Sequence, residues 1–457
     1  MRAAALFLLT LAVPAPLVAQ TPAPPPPLQI PYTQFTLPNG LHVILHEDHT
    51  VPLAYVNVLY DVGSAREVPG RTGFAHLFEH LMFMGSGHAK YGVFDQSLEA
   101  AGGTNNASTS NDVTNYWIMV PSSALDLALF LESDRMGYLL DSMTPQILDA
   151  QRDVVKNERR ERIENTPYGS AFVTLEEMLY PKGHPYHWPV IGYMEDLSAA
   201  GYDDVTAFFR KYYAPSNASL VVAGDIEPTA TRRLVEKWFS DVKSGPAPEP
   251  VTIPGVALTG VQKRTITDRV ELPRLHLAWL TPRHLEPGDS ALDVAASVLS
   301  GGKNSRLFKR LVYDMQIAQD VGAFQVSRTL SSYFLIEATP RPDHTVEELQ
   351  KAIDEELAKL RNEAPSAHEV QRAINQYEAS FYDGLERLGG QHGGKADQMN
   401  AYYLKTGNPD WFNEDLARYR SLSPSDVRAA VERFLPPDRR VELTVVPEGP
   451  GGGQQQR

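Results

Sequence analysis

Cysteine is absent from this chain of 457 residues. Disulfide bonds therefore contribute nothing to its stability, and anchoring through a lipid on cysteine is excluded. The chain also lacks any basic run that would offset its formal net charge of -14. This balance argues against nucleic acid and anionic membranes as partners, because both attract positively charged surfaces. Peptides, in particular basic ones, remain compatible with an acidic surface.

Long hydrophobic runs are also missing. The apolar segment 3–13 is too short to span a bilayer. Arg2 precedes this segment and the small-residue sequence Leu-Val-Ala at 17–19 follows it, which is the order of a secretory signal peptide. We therefore expect a signal peptide at 1–19 and a secreted, periplasmic protein whose mature form has no membrane span. The alternative interpretation is a retained N-terminal anchor.

The length of the chain suits two domains of about 200 residues each. Proline is concentrated at 20–27, which predicts an extended tether, and proline and glycine recur at 244–262, which predicts a linker. We therefore expect one domain at 28–243 and a second at 263–447. The tail at 448–457 is rich in glycine and glutamine, and we expect it to be disordered.

Alternating apolar segments flank Asn39-Gly40, a pair that favours a tight turn, so residues 35–45 are predicted to form a hairpin. Longer periodic segments predict the rest of the first half. The expected strands are 53–60, 105–110, 114–119 and 219–223, and the expected helices are 73–84, 122–140, 144–165 and 202–212.

Residues 76–80 read His-Leu-Phe-Glu-His and place two imidazoles and a carboxylate on one helical turn. His76 and His80 are four residues apart, so both lie on one helix face and can bind the same tetrahedral metal ion. Glu79 is close enough to accept a proton from a water molecule that the metal acidifies. The order H-x-x-E-H is a signature of zinc peptidases. The alternative is a helix whose histidines are ordinary core or surface groups.

A catalytic zinc ion usually has three protein ligands, so the two histidines need one more. The residues with suitable chemistry are Glu158, Glu161, Glu164, His88, His184 and His187. Spacing does not choose among them. Residues 157–164 also fit a solvated helical face with pairs such as Glu158 and Arg162, four residues apart.

The second half of the sequence repeats landmarks of the first. Asp-Val occurs at 204–205 and again at 426–427, and the strand pattern at 53–56 recurs at 275–278, so both pairs are separated by 222 residues. A shared offset predicts a duplicated domain. At that offset His76, Glu79 and His80 correspond to Val298, Gly301 and Gly302, so the second copy cannot bind zinc in this way.

Four segments in this order carry a resemblance to a known family. They are H-x-x-E-H at 76–80, Gly-Gly-Thr-Asn-Asn-Ala-Ser-Thr at 102–109, Arg-Asp-Val-Val-Lys-Asn-Glu-Arg at 152–159 and Gly-His-Pro-Tyr at 183–186. Together they resemble the pitrilysin/insulinase (inverzincin) family of zinc peptidases, in particular bacterial two-domain members related to mitochondrial processing peptidase. The resemblance implies an α+β fold of two homologous domains, each a mainly antiparallel sheet packed with helices, arranged as a half-clamshell.

The resemblance also implies roles for particular residues. His76, His80 and Glu158 would bind one zinc ion per chain, and Glu79 would be the general base of a zinc metalloendopeptidase. The segment Asn106, Ala107 and Ser108 would be an edge strand that pairs with the backbone of a peptide substrate, which is a common way to bind extended peptides. Its alternative is an ordinary edge strand beside the metal helix.

The sequence departs from the family in two places. Gln151 stands where the family often has a second acidic residue that tunes the metal ligands. Val312 and Gln319 stand where family members or their partner subunits have an arginine and a tyrosine that contact the substrate carbonyl. We therefore expect the metal-bearing subunit of a heterodimer whose partner supplies the Arg/Tyr pair, or a homodimer. The alternative is a non-catalytic subunit that binds peptides or supports an assembly.

Overall fold

A computed structural model describes residues 26–245 and 249–449. The expected signal peptide at 1–19 lies outside this part of the chain, as do most of the expected tether (20–27) and tail (448–457). No helix within the described ranges is both long and apolar enough to cross a bilayer.

The first half combines strands with helices in an alternating order. Its strands are β1 (Thr33–Thr36), β2 (His42–Glu47), β3 (Leu53–Tyr60), β4 (Thr104–Thr109), β5 (Thr114–Pro121) and β6 (Ala218–Gly224). Its helices are α1 (Phe74–Leu81), α2 (Val93–Ala100), α3 (Leu125–Tyr138), α4 (Pro145–Arg159), α5 (Gly169–Leu179), α6 (Met194–Ala199), α7 (Tyr202–Tyr212) and α8 (Pro228–Phe239).

These strands form one sheet in the order β1-β2-β6-β3-β5-β4. The predicted hairpin is confirmed, since β1 and β2 pair antiparallel on either side of Asn39 and Gly40. Gly40 has a φ of 95°, a conformation that favours glycine. Neighbours pair antiparallel except for β2 and β6, which are parallel. β4 lies at an edge of the sheet, so it can accept a further strand.

The second half continues with its own strands and helices. Its strands are β7 (Gln262–Asp268), β8 (Arg274–Thr281), β9 (Ala318–Val326), β10 (Ser332–Pro340) and β11 (Val441–Pro447). Its helices are α9 (Asp289–Ser300), α10 (Val346–Asn362), α11 (Ala367–Glu386), α12 (Lys395–Thr406), α13 (Phe412–Arg420) and α14 (Pro424–Phe434).

The second sheet has the order β7-β11-β8-β10-β9, which repeats the order β2-β6-β3-β5-β4 of the first. The pairing directions also repeat, because β7 and β11 are parallel and the other neighbours are antiparallel. The predicted fold class, α+β with two halves that each combine a mainly antiparallel sheet with helices, is confirmed.

Each half covers one face of the sheet in the other half. One face of the first sheet packs on helices of its own half, and its opposite face, including Tyr55 and Trp117, packs on apolar side chains of α11–α13 such as Phe381 and Phe412. Conversely, α5 of the first half packs on the second sheet. This exchange buries apolar surface of both halves in shared cores, so their relative position is fixed by packing.

Polar contacts add specificity to this packing. Arg328 of the second half forms a buried ion pair with Glu176 of α5, with Nη2 and Oε1 2.5 Å apart. On the other side, Asn400 of α12 donates a hydrogen bond to Asn57 Oδ1 of β3 at 2.6 Å. A buried ion pair or amide that loses its partner is costly, so alternative arrangements of the two halves are disfavoured. The helices of the second half are thereby held beside β3 and β5.

Candidate metal centre

The helix that carries His76 and His80 is held in place at its beginning. The carboxylate of Glu67 accepts hydrogen bonds from the backbone N–H groups of Gly73 and Ala75, each at 2.8 Å. These two amides would otherwise lack partners at the helix start. The apolar face of α1 is buried in the core: Phe74, Leu77, Phe78 and Leu81. The anchored helix therefore presents its histidine face in a fixed direction.

Glu158 comes from α4, which packs against α1. Thr144 caps the beginning of α4 by accepting a hydrogen bond from the Ile147 amide at 3.3 Å. Leu148 and Val155 are buried on the side that faces the core. Glu158 lies near the end of α4, where the chain continues as a π-helical turn over Arg160–Glu164. The packing of α4 against α1 thus places the Glu158 carboxylate beside His76 and His80.

The three side chains converge on one point. His80 Nε2 lies 3.1 Å from Glu158 Oε2, and His76 Nε2 lies 3.7 Å from the same oxygen. One ligand atom from each residue lies within 4.8 Å of the others. A tetrahedral zinc ion with bonds of roughly 2.0–2.2 Å requires ligand atoms about 3.4 Å apart. Two imidazoles and a carboxylate at this spacing fit zinc.

The electrostatics of the three residues favour a metal ion. Burial lowers the pKa of His76 to about 4, so its imidazole is neutral at neutral pH. A hydrogen bond from His80, together with the nearby positive charge of Arg162, lowers the pKa of Glu158. Neutral histidine and ionised glutamate are the forms that bind a divalent cation. No proton has to be removed from His76 or Glu158 before metal binds near neutral pH.

The two oxygens of Glu158 have different partners. Oε2 faces the histidines, whereas Oε1 forms an ion pair with Arg162 Nη1 at 2.9 Å. The predicted pair between Glu158 and Arg162 is therefore present, and it does not compete with the placement of Glu158 beside the histidines. Because the Arg162 side chain is exposed, this ion pair contributes little to stability.

The other residues considered as a third ligand lie elsewhere. Among the described residues, no such metal-ligand cluster includes Glu161, Glu164, His88, His184 or His187. His88 Nδ1 contacts Asp134 Oδ1 at 2.5 Å, and His184 Nδ1 accepts a hydrogen bond from the Tyr186 amide at 3.0 Å. Of the six candidates for a third ligand, all of them in the described part of the chain, Glu158 is the one that lies beside His76 and His80.

Glu79 is held by a residue that the sequence analysis did not identify as functional. Thr109, the last residue of β4, donates a hydrogen bond from Oγ1 to Glu79 Oε2 at 2.6 Å. Burial raises the pKa of Glu79. A raised pKa makes the carboxylate a stronger base, as general-base catalysis requires. Side chains alternate between the two faces of a strand, so Thr109 lies on the same face of β4 as Ala107, which packs against the core beside α1. This alternation is the sequence signal that could have identified Thr109.

A cavity of about 680 Å³ surrounds these groups. The first half lines it with the three candidate metal ligands, Glu79, the edge strand and neighbouring side chains: His76, His80, Glu158, Asn106, Ala107, Ser108, Thr109, Asn115, Trp117 and Arg162. The second half contributes Gly390, Gln391, Gly393 and Asp397. All three residues expected to bind substrate therefore line the same cavity as the candidate metal ligands. The contribution of the second half was not predicted.

The residues at which the sequence departs from the family lie away from this cavity. Gln151 is buried on α4 and donates a hydrogen bond to Met84 Sδ at 3.0 Å. Val312 packs against the core of the second half, and Gln319 is exposed on β9. Among the described residues that line the cavity, Gln151, Val312 and Gln319 do not occur.

Comparison with known proteins places these residues in context. Residues 42–181 match the family model described as Insulinase (Peptidase family M16), and residues 199–377 match the model described as Peptidase M16 inactive domain. The first match contains His76, Glu79, His80 and Glu158. The second contains none of them, in agreement with the loss of the motif from the second half.

Individual relatives extend over most of the chain. The zinc protease PqqE of Helicobacter pylori is 32% identical over 409 residues, which cover 87% of this chain and 89% of that protein. A probable mitochondrial-processing peptidase subunit beta of Arabidopsis thaliana is 26% identical over 423 residues, covering 89% and 77%. The crystal structure of a protease from Helicobacter pylori superimposes with a TM-score of 0.83 at 28% identity, covering 92% of this chain and 100% of that one.

Proposed function

Because this chain belongs to the insulinase (M16) family of peptidases, we propose that it is a zinc metalloendopeptidase that hydrolyses peptides or unfolded polypeptides. The family resemblance found in the sequence is thereby confirmed. The observation that carries the proposal is the convergence of His76, His80, Glu158 and Glu79 in one cavity beside an open sheet edge.

Each residue of the cavity has a role in this proposal. His76, His80 and Glu158 would hold the zinc ion, which would acidify a water molecule and polarise a peptide carbonyl. Glu79 accepts the proton of the attacking water and passes it to the leaving amine. Burial and the hydrogen bond from Thr109 keep Glu79 oriented for both transfers.

β4 supplies the surface for the substrate. Asn106 and Ser108 are exposed, whereas Ala107 and Thr109 are half-buried on the other face of the strand. A peptide that pairs with the open edge of β4 is held through main-chain hydrogen bonds, so it is bound with little dependence on its sequence. Because Thr109 contacts Glu79 directly, a peptide on this edge lies next to the general base.

The test of this proposal is an assay on the protein as its host makes it. The chain is recovered with whatever co-purifies and is given a quenched-fluorescence peptide with and without a chelator. We expect hydrolysis that the chelator abolishes and added zinc restores. Hydrolysis that persists after complete metal removal would contradict a zinc mechanism, and absence of hydrolysis in the metal-loaded complex would contradict a peptidase.

We further propose that the active form includes a partner subunit. The family resemblance implies that Val312 and Gln319 stand at the positions of an arginine and a tyrosine that contact the substrate, and one relative is named as a subunit of a processing peptidase. The purified chain alone should bind zinc but cleave peptides poorly, and the partner should restore activity. A monomeric preparation with full activity would be inconsistent with this arrangement. A homodimer would instead show activity that rises with the concentration of the chain.

We also propose export to the periplasm, on the basis of residues 1–19. The mature protein should be found in the periplasmic fraction with its N-terminus at or near Gln20. An intact N-terminus in the cytoplasmic fraction would refute export.

Thr109→Val isolates the hydrogen bond to Glu79. Valine has nearly the shape of threonine and suits a strand, but it cannot donate to Glu79 Oε2. We expect kcat to fall about tenfold, the equivalent of one charge-assisted hydrogen bond, with zinc content and KM nearly unchanged. Steady-state kinetics and metal analysis measure these quantities. Thr104→Val makes the same change at an exposed residue of the same strand outside the cavity lining. It is the matched control and should keep kcat within about twofold.

A further inference from the structure

The wall of the cavity that comes from the second half is a glycine-rich connection between α11 and α12. We call residues 387–394, Arg-Leu-Gly-Gly-Gln-His-Gly-Gly, the glycine loop. Gly390, Gln391 and Gly393 of this loop line the cavity together with the candidate metal ligands. Neither the sequence motifs nor the proposed roles above use these residues.

The glycine loop is tightly attached to the first half. A Cβ atom on Gly389 would lie 2.3 Å from the ring of Tyr55, so only glycine permits this approach of the backbone to β3. Asp397, in the first turn of α12, accepts a hydrogen bond from the Tyr55 hydroxyl at 2.6 Å. Lys395 forms an ion pair with Asp48 of the first half. The loop is therefore anchored beside the sheet at both of its ends.

Within the loop, a turn presents Gln391 at its tip. The Gly393 amide donates a hydrogen bond to the Gly390 carbonyl at 2.8 Å, which places Gln391 and His392 at the centre of the turn. Both side chains are exposed, but only Gln391 lines the cavity. A Cβ atom added to Gly390 or to Gly393 would meet nothing within 4 Å, so the loop backbone beside Gln391 is open to an incoming chain.

The position of Gln391 complements the edge strand. The zinc helix α1 lies on the face of the first sheet that carries Ala107 and Tyr116, whereas Trp117 faces the helices of the second half. The cavity extends along β4 to both sides, from the metal ligands to the glycine loop. An extended peptide that pairs with β4 along one edge would have no partner along its opposite edge. The backbone N–H and C=O groups on that opposite edge of the peptide need an acceptor and a donor, respectively.

We propose that Gln391 is a substrate-binding residue whose side-chain amide binds the main chain of the peptide held on β4. This proposal rests on the proposed peptidase function. A carboxamide offers a carbonyl acceptor and N–H donors, so it can pair with peptide groups whatever the substrate side chains are. The chain thereby holds its substrate between an edge strand of one half and a polar side chain of the other. This contact does not depend on a partner subunit.

The experiment compares Gln391→Ala with His392→Ala in the zinc-loaded protein, purified with its co-purifying partner. His392 is the matched control, since it shares the exposed turn but does not line the cavity. With a quenched-fluorescence peptide of blocked termini, Gln391→Ala should lower kcat/KM about tenfold, whereas His392→Ala should stay within about twofold. An equal loss in both variants would indicate a general effect of the loop and would overturn the proposal.

A second measurement identifies the main chain as the group that is bound. A series of peptides carries a single ester in place of one amide, which removes one backbone N–H at a time. At the contacted position the ester should cost wild type about tenfold in kcat/KM and cost Gln391→Ala much less, because two changes to one interaction are not additive. Additive losses at every position would overturn a direct contact between Gln391 and the peptide backbone.

Binding of the same peptides to zinc-loaded Glu79→Gln protein, with and without Gln391→Ala, separates the two proposals. Weaker peptide binding in the double variant than in Glu79→Gln supports the Gln391 contact, even if wild type hydrolyses nothing. In that case only the proposed peptidase function is refuted. Unchanged binding and hydrolysis in Gln391→Ala would overturn the Gln391 contact and leave the peptidase function standing. Absence of both peptide binding and hydrolysis in wild type would overturn both.

Discussion

Glu79→Gln should reduce peptide hydrolysis to a small fraction of the wild-type rate and leave zinc binding intact. The substitution keeps the size of the side chain, and the amide oxygen can still accept the hydrogen bond from Thr109. An amide cannot accept the proton of the attacking water, so the general base is lost. General-base catalysis contributes roughly 10²–10⁴-fold, and we expect kcat to fall by about this factor. Single-turnover kinetics on the peptide substrate measure the loss at the chemical step.

Metal analysis provides the control for Glu79→Gln. The variant should retain one zinc ion per chain, because Glu79 is not among the three clustered ligand residues. Glu161→Gln is the matched variant, since Glu161 is an exposed glutamate outside the cavity lining. It should behave as wild type. Hydrolysis by Glu79→Gln at close to the wild-type rate would exclude Glu79 as the base. If wild type itself shows no hydrolysis, the non-catalytic subunit becomes the better interpretation.

The zinc helix shows what local sequence can predict. The pattern predicts a helix at 73–84, and the structure has α1 at Phe74–Leu81. Spacing within one helical turn is set by backbone geometry, so the placement of His76 and His80 on one face follows from the sequence alone. The end of the helix does not, because after Leu81 the amides of Phe83 and Met84 bond to carbonyls three residues back and form a tighter turn that the apolar pattern does not distinguish from α-helix. Likewise, the helix predicted at 144–165 divides into α4 and the π-helical turn at Arg160–Glu164.

Residues that meet through tertiary structure could not be identified from local pattern. Glu158 was one of several acidic residues on a polar helix, and its choice rested on resemblance to a family. The anchor Glu67 and the hydrogen-bond donor Thr109 carry no motif of their own. The glycine loop lines the cavity together with residues that are hundreds of positions away in the sequence, and local periodicity does not predict such a contact. Local pattern thus indicated the residues that converge in the candidate site better than the residues that surround them.

Glu158→Gln should weaken zinc binding by at least about 100-fold, because it replaces a charged ligand with a neutral one. Glu158 Oε2 lies 3.1 Å from His80 Nε2 and 3.7 Å from His76 Nε2. A glutamine at this position presents either a neutral oxygen or an N–H group that cannot bind a cation. Competition with a fluorescent zinc chelator measures the affinity, and Glu161→Gln again serves as the matched control.

Thermal unfolding gives an independent measure of the same loss. Zinc that binds only the folded chain stabilises it by an amount that grows with the ratio of free zinc to Kd. Zinc should therefore raise the Tm of wild type and of Glu161→Gln. At the same zinc concentration, Glu158→Gln should show a smaller rise in Tm. A 100-fold weaker Kd removes about 2.7 kcal/mol of the stabilisation that zinc gives to the folded chain. Without metal, Glu158→Gln should unfold near the wild-type temperature. Within the described parts of the chain, the Glu158 carboxylate forms ion pairs with the two histidines and with the exposed Arg162, and such pairs contribute little to stability. Equal zinc-dependent shifts in all three proteins would show that Glu158 is not a ligand, and the metal centre would then have to be sought at other residues.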